Sequence, residues 1–454
     1  MNELYLNKLY DFLVDMRYED LPAHVVNLAK QSLIDTFGVI IGSQWTPIGK
    51  ALMELRNIYG DNGGISIVGT TKKTSLAGAT FINGSLADVL ELQDGIRYGG
   101  VHPSTVVIPA VLALSQEREI SGKELIVSLV AGYEFLGRMT KLIFPEALWK
   151  GFNMSGVCGA FGTAIGCSKI LKFNKDGMAN SLGICGLHAP ISSRECFYQE
   201  IKPTHAGKAS EAGLLSVLFT ERGFKASRHA LETQGVGGIC TSLIAECSEF
   251  SGMSNSLGDH FELEEVYIKP FSSCRHTHGA IQATLELIRE YSIGLSDISN
   301  VNVSTYSVAE HIVGDRRPNI DSLFHMRQFS IPYVVSACII NGDLSPNEIF
   351  GSVANDSRLY DLLSKVKVRE NPEITKRYPA TTPTEVEIVF KDDSVLSRLV
   401  EIPKGDPRDP LTRDELEAKF RKLVAEVIGE INSDRLFDKL SEIEHMDNVS
   451  KLFD

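Results

Sequence analysis

The chain of 454 residues lacks every common cofactor or nucleotide signature. It has no GxxxxGKS or GxxxxGKT loop, no GxGxxG after a strand, no HExxH helix, no EF-hand loop and no GxSxG elbow, so the chemistries those patterns carry are not expected. A basic excess is missing too. Lys and Arg number 45 against 58 Asp and Glu, a net charge of -13, which disfavours nucleic acid and anionic membrane surfaces as partners. The longest apolar run, Val106 to Leu114 with Pro109 inside it, is far short of the roughly 20 residues of a membrane span. The opening MNELYLNKLYDFLVDMRYEDLP has no basic n-region or small-residue cleavage site, and reads as a first helix rather than a targeting segment. Eight cysteines (Cys158, Cys167, Cys185, Cys196, Cys240, Cys247, Cys274 and Cys338) form no CxxC pair and show no regular spacing. Reduced thiols and a cytoplasmic location are therefore expected.

What is present is a long run of helical periodicity. Leu6, Leu9, Phe12, Leu13 and Met16, then Val25 through Phe37, repeat at the spacing of a buried face, and residues 106–117, 122–142, 156–172 and 206–222 continue the pattern. Small residues recur through Gly156, Gly159, Gly162 and Gly166, which predicts a central helix packed closely on its neighbours. Beyond residue 268 the pattern changes. A helix at 280–291, an extended stretch near 301–305, helices at 330–341 and 356–364, and an alternating pair of strands at 384–390 and 395–402 predict an α+β unit. Thr412-Arg-Asp-Glu415 is a capping box opening a helix, and another helix follows at 431–444, so the tail is expected to rejoin the helical part. The reading is a mostly α protein. A large all-helical domain takes 1–267 and 404–454, and a smaller α+β unit takes 268–403.

Three polar clusters stand out. Glu91, Asp94, Arg97, Tyr98 and His102 share a loop between two apolar helices, where function commonly concentrates. Lys202 and His205 precede a buried helix, and Lys269-Pro-Phe-Ser-Ser-Cys274-Arg275-His276-Thr277-His278 lies at the proposed domain junction, a usual place for ligands. Two histidines at i, i+2 without a nearby carboxylate make a poor metal site. Tyr333 opens a helix of the smaller unit; a lone tyrosine is commonly a core residue with its hydroxyl satisfied. Cations and acid/base groups from three distant stretches suggest a polyanionic ligand. Removing a proton next to a carboxylate needs a base tuned toward neutral pH and cationic donors for the developing charge, and His, Lys, Tyr and Asp supply these without a cofactor.

At these residues the sequence resembles the MmgE/PrpD family, which includes 2-methylcitrate dehydratase, cis-aconitate decarboxylase and iminodisuccinate epimerase. The likeness is carried in order by Leu33-Ile-Asp-Thr-Phe-Gly38, Asn83-Gly-Ser-Leu-Ala-Asp88, the loop from Asp94 to Ser104, the glycines 156–166, Lys202-Pro-Thr-His-Ala-Gly207, Lys269-Pro270 with its His-rich turn, Phe329-Ser-Ile-Pro-Tyr333 and the strand 383–390. The resemblance implies a helical domain with an inserted α+β lid, a homodimer, no metal or organic cofactor, and a small polycarboxylate substrate. It also implies that Asp94, His102, Lys202, Lys269 and Tyr333 line one pocket, with Arg97, Asn153, His205, Cys274, Arg275 and His276 beside it. This chain departs from the family pattern at Asn153 and Cys274, where decarboxylase-like members carry histidines, and at Gln93-Asp94, where paired aspartates are usual. Asparagine cannot exchange a proton near neutral pH, which favours a dehydratase over a strict decarboxylase. An epimerase, or a binding protein without activity, is the alternative.

Overall fold

The computed structural model describes residues 6–61, 63–190, 199–233, 237–244 and 250–453. It is mostly α-helical with small sheets. Met154–Ile170 is the central helix, packed against Pro103–Arg118, Gly122–Ile143, Lys175–His188 and Thr204–Glu221. The glycine spacing explains how closely. A Cβ on Gly162 would stand 2.6 Å from Leu136 Cβ and 2.8 Å from the Gly132 carbonyl, and one on Gly166 would meet Val111 at 2.8 Å, inside van der Waals contact. The expected buried helix is there.

Local sequence sets the helix starts that matter for the site. Ser75 accepts the Gly78 N–H (3.1 Å) at the head of Leu76–Val89, and Asn153 accepts that of Gly156 (2.9 Å) at the head of the central helix. Ser121 and Glu124 form a capping box, which satisfies N–H groups that no helical carbonyl reaches. His102 stands immediately before Pro103–Arg118, whose first position is proline, the residue whose missing N–H costs nothing there.

One hydrophobic core draws on residues from Leu6 to Ile268 and again from Leu416 to Leu452. The tail returns because Arg413–Ile428 packs on Ala23–Ser43, with Phe420 and Leu423 against Gly38 and Gly42. Ala23–Ser43 is by length and composition apolar enough to cross a membrane, a match that the apolar-run reading missed, and 78% of its apolar window is buried inside the protein. Two further cores take residues 274–400. Their sheet runs in the order Val366–Glu370, Ile298–Thr305, Thr384–Phe390, Val395–Val400, the first pair parallel and the others antiparallel, with His278–Glu290 packed on it.

The first region is not all-helical. Ile65–Ser66 pairs with Lys73–Thr74, and Gly95–Ile96 pairs antiparallel with Val266–Tyr267. The second ribbon is two residues long on each side, below what alternation can reveal, yet it joins the loop before His102 to the segment leading into Lys269. Gly95 permits the approach, since a Cβ there would lie 2.3 Å from Tyr267 Oη and 3.0 Å from His102 Nδ1. Cys158, Cys167, Cys185, Cys274 and Cys338 are free and buried; Cys196 and Cys247 lie outside the described residues.

Candidate active site

The site grows from the end of Leu76–Val89. Asp88 lies in its last turn, and Glu91 follows with φ +50, a left-handed conformation that costs a non-glycine residue about 1–2 kcal/mol. Its carboxylate thereby meets two cations. Lys269 Nζ donates to Glu91 Oε1 at 2.7 Å and Lys202 Nζ donates to Glu91 Oε2, with Asp88 Oδ1 3.0 Å from the same ammonium. All four side chains are buried, Lys269 completely. Burial opposes ionisation of Glu91, but Lys202 and Lys269 together hold it well below the usual carboxylate range. Asp88 goes the other way: burial, with Glu91 adding to it, pushes it up to about 7 against the pull of Lys202. The pair of carboxylates thus divides into a fixed anion and a group that titrates near neutrality. Among the described residues, Glu91 is the one hydrogen-bond acceptor of Lys269, leaving two of its three N–H donors.

His102 stands beside this cluster. Its Nδ1 is 2.6 Å from the Asp94 carbonyl oxygen. A carbonyl only accepts, so the hydrogen is on Nδ1 and Nε2 carries the lone pair. The main-chain N–H of His102 donates to Ser155 Oγ (2.9 Å), two residues beyond Asn153. Burial lowers the imidazole to about 3, Lys269 and Lys202 assist, and Glu91 and the Asp94 carbonyl oppose. His102 is a neutral base.

Asp94 reaches the imidazole through its backbone, not its carboxylate. Oδ1 accepts the Ser104 N–H (2.9 Å) and Oδ2 accepts the Tyr133 hydroxyl (2.8 Å), inside the protein, with burial pushing the group up to about 6. The side chain thus caps Pro103–Arg118 and the carbonyl orients His102. His205 points Nδ1 at the Lys202 carbonyl, and burial and then Lys202 lower it to about 4. Cys274 is pushed up to about 11 by burial and then by Glu91, while Lys269 pulls it down, so its thiol is protonated at neutral pH. Asn153 commits Oδ1 to capping, and its buried Nδ2 has no partner among the described residues.

Four expected site residues are engaged by partners outside the cluster. Tyr333 is fully buried among Ile281, Leu285, Val334 and Leu344, and its hydroxyl donates to the Glu348 carbonyl (2.6 Å). It is a core tyrosine. Replacing it with phenylalanine is expected to leave turnover within about twofold and cost about 1 kcal/mol in denaturant unfolding; a hundredfold loss of turnover would return it to the chemistry. Arg97 pairs with Glu265 (2.9 Å). Arg275 donates to the Pro403 and Lys404 carbonyls (2.9 Å each) and stacks on Tyr267, and His276 Nδ1 is 2.6 Å from Tyr306 Oη in the second core. These last two tie the turn to its surroundings.

Asp88 and Glu91 lie in segments that the sequence singles out, but sequence reasoning gave neither a place in the site. The signal was available in principle, because a buried lysine needs a carboxylate, and Asp88 and Glu91 sit between apolar Leu86, Val89, Leu90 and Leu92. Among the described residues no group of three or more His, Cys, Asp or Glu is placed to hold a metal ion. Two open clefts, about 590 and 580 Å³, are lined by Arg138 to Glu146 with Gly252 to Glu262 and by Val14 to Glu19 with residues of 121–128 and 169–173. Neither touches the lysines, and the chemistry argues for the buried cluster instead.

The chain is similar to known proteins along nearly its whole length. Cis-aconitate decarboxylase of Aspergillus terreus is 24% identical over 96% of this chain and 92% of its own, and that of Mus musculus is 23% identical over 96% and 90%. An alkylcitrate dehydratase of a fungal species is 24% identical over 40% of this chain and 38% of its own. Family models match in sequence order, the MmgE/PrpD N-terminal domain at residues 7–243 and the MmgE/PrpD C-terminal domain at 271–442. The segments that supply Asp88, Glu91, His102 and Lys202 fall in the first match and Lys269 falls just before the second; on these two matches the chain belongs to the MmgE/PrpD family.

Proposed function

We propose that this protein is a lyase acting on a small di- or tricarboxylic acid, a 2-methylcitrate dehydratase-like enzyme that needs no cofactor. The observation that carries the reading is the neutral His102, its Nε2 lone pair fixed beside two buried lysines. Lys269 and Lys202 hold carboxylate oxygens, and His102 Nε2 takes the proton from the adjacent carbon. The electron pair forms the double bond as the neighbouring carbon–oxygen bond breaks. The departing hydroxide takes a proton from Asp88, whose pKa near 7 keeps it partly protonated, and leaves as water. The same reading includes a homodimer in the cytosol, supported for the latter by the free buried thiols of Cys158, Cys167, Cys185, Cys274 and Cys338. Sedimentation at micromolar concentration tests the dimer.

Decarboxylation is the second reading, supported by the full-length relatives that bear that name. Asn153 weighs against it, because a carboxamide already capping a helix transfers no proton. A panel of di- and tricarboxylates in D2O separates the readings. Elimination gives enoate absorbance and no CO2, with deuterium only in recovered substrate where proton removal reverses; CO2 release, with deuterium in the product, would replace the dehydratase reading, and no exchange or conversion of any acid would end both. Dialysis against EDTA is expected to leave turnover unchanged, and a loss restored by one metal would overturn the cofactor-free reading.

The pH profiles carry a sign. In the free enzyme His102 is depressed to about 3, so it stays unprotonated above about pH 5 and gives kcat/KM no acid limb there. A bound dianion offsets Lys202 and Lys269 and raises the imidazole. The acid limb of kcat is therefore expected at higher pH than that of kcat/KM, and coincident limbs would contradict the assignment.

A further inference from the structure

Of the buried imidazoles that the mechanism leaves unused, His325 has no partner for either ring nitrogen among the described residues. It lies in the short helix Phe324–Gln328 and is 1% exposed. Buried polar groups are nearly always paired, and an exception calls for a reason. The helix is fastened to the site at its far end. Gln328 Nε2 donates to the Val89 carbonyl (3.1 Å), its carbonyl accepts the Cys274 N–H (3.0 Å), and the Phe329 ring centroid is 5.9 Å from Lys202 Nζ. His325 is one helical turn from that aromatic ring. Phe324 meets its ring edge-on, at 5.7 Å between centroids, and the cations that act on it are Lys202 and Arg316.

We infer that His325 is a further substrate-binding residue of this site, donating a ring N–H to a carboxylate oxygen of the acid that Lys202 holds. The placement follows from the neighbours. Phe329, one turn beyond His325, lies against Lys202, and Lys202 is the member of the cluster that acts on both His102 and His325. Burial, with Lys202 and Arg316 adding to it, lowers this imidazole to about 4. It therefore binds as a neutral group, adding direction without another positive charge. The inference rests on the reading of the site as a polycarboxylate site.

Calorimetry with propane-1,2,3-tricarboxylate, which has no hydroxyl to eliminate, tests it in the full chain. Wild type binding comes first; no binding of this or any acid of the panel would defeat the site reading and the inference with it. Given binding, His325→Phe is expected to raise Kd about tenfold or more, the scale of a lost hydrogen bond to a charged group. His325→Gln, which keeps an N–H, is expected to stay within about threefold. A Phe variant that melts cooperatively and binds like wild type would overturn the role, as would a Gln variant that loses as much as Phe. If the Phe variant does not fold, His325→Leu takes its place under the same criteria.

Discussion

Replacing His102 with glutamine is expected to lower kcat by about 10²–10⁴-fold, the usual contribution of a general base, while the affinity for propane-1,2,3-tricarboxylate and the melting midpoint change little. Glutamine can keep the link to the Asp94 carbonyl through its amide N–H, so the loop geometry is retained. It has no lone pair of comparable basicity to present where Nε2 stands. The geometry makes this a sharp test: Gly95 lets Tyr267 and the His102 ring approach together, and the short ribbon with Val266–Tyr267 fixes the loop beside the segment that delivers Lys269. Burial makes the free imidazole a weak base, and the charge of a bound acid is what restores its basicity. Activity should therefore fall through kcat, with KM nearly unchanged. Normal turnover and normal exchange of the substrate hydrogen in the variant would remove His102 from the mechanism.

Much of this arrangement could be read from residue order, for identifiable reasons. Helix starts were legible where Ser121-Gly-Lys-Glu124 or Thr412-Arg-Asp-Glu415 announces a capping box, and the hairpin of Thr384–Phe390 and Val395–Val400 was legible because Val386 and Ile388 alternate with polar neighbours. Val366–Glu370 escaped notice because it is an edge strand with one buried side chain, Val366, in a charged stretch. Lys202, Lys269 and His102 were visible because each stands beside proline in a polar cluster. The role of Glu91 was not, since it depends on a left-handed backbone and on two lysines 111 and 178 residues away. Tyr333 was misplaced because a motif says which residue is present and not where its hydroxyl finds an acceptor; the Glu348 carbonyl lies on a later helix.

Lys202→Met is expected to lower kcat/KM by more than about a hundredfold and to destabilise the protein by about 3–5 kcal/mol, the scale seen when one partner of a buried ion pair is removed. The two losses have separate causes, and a second substitution distinguishes them. Without Lys202, Asp88 and Glu91 face each other in the interior with Lys269 as the remaining cation of the cluster. Asp88 can relieve this by keeping a proton, as its raised pKa already favours, so the measured cost should fall toward the lower end and grow as pH rises through 7. Adding Asp88→Asn removes the stranded charge outright and should return part of the stability, a coupling that a double-mutant cycle in denaturant measures. It cannot return a positive charge to hold a carboxylate, so kcat/KM should stay low in the double variant. Recovered activity together with recovered stability would mean that Lys202 serves only to neutralise its neighbours and that Asp88 is not the acid, and the polyanion site would lose one of its two cations.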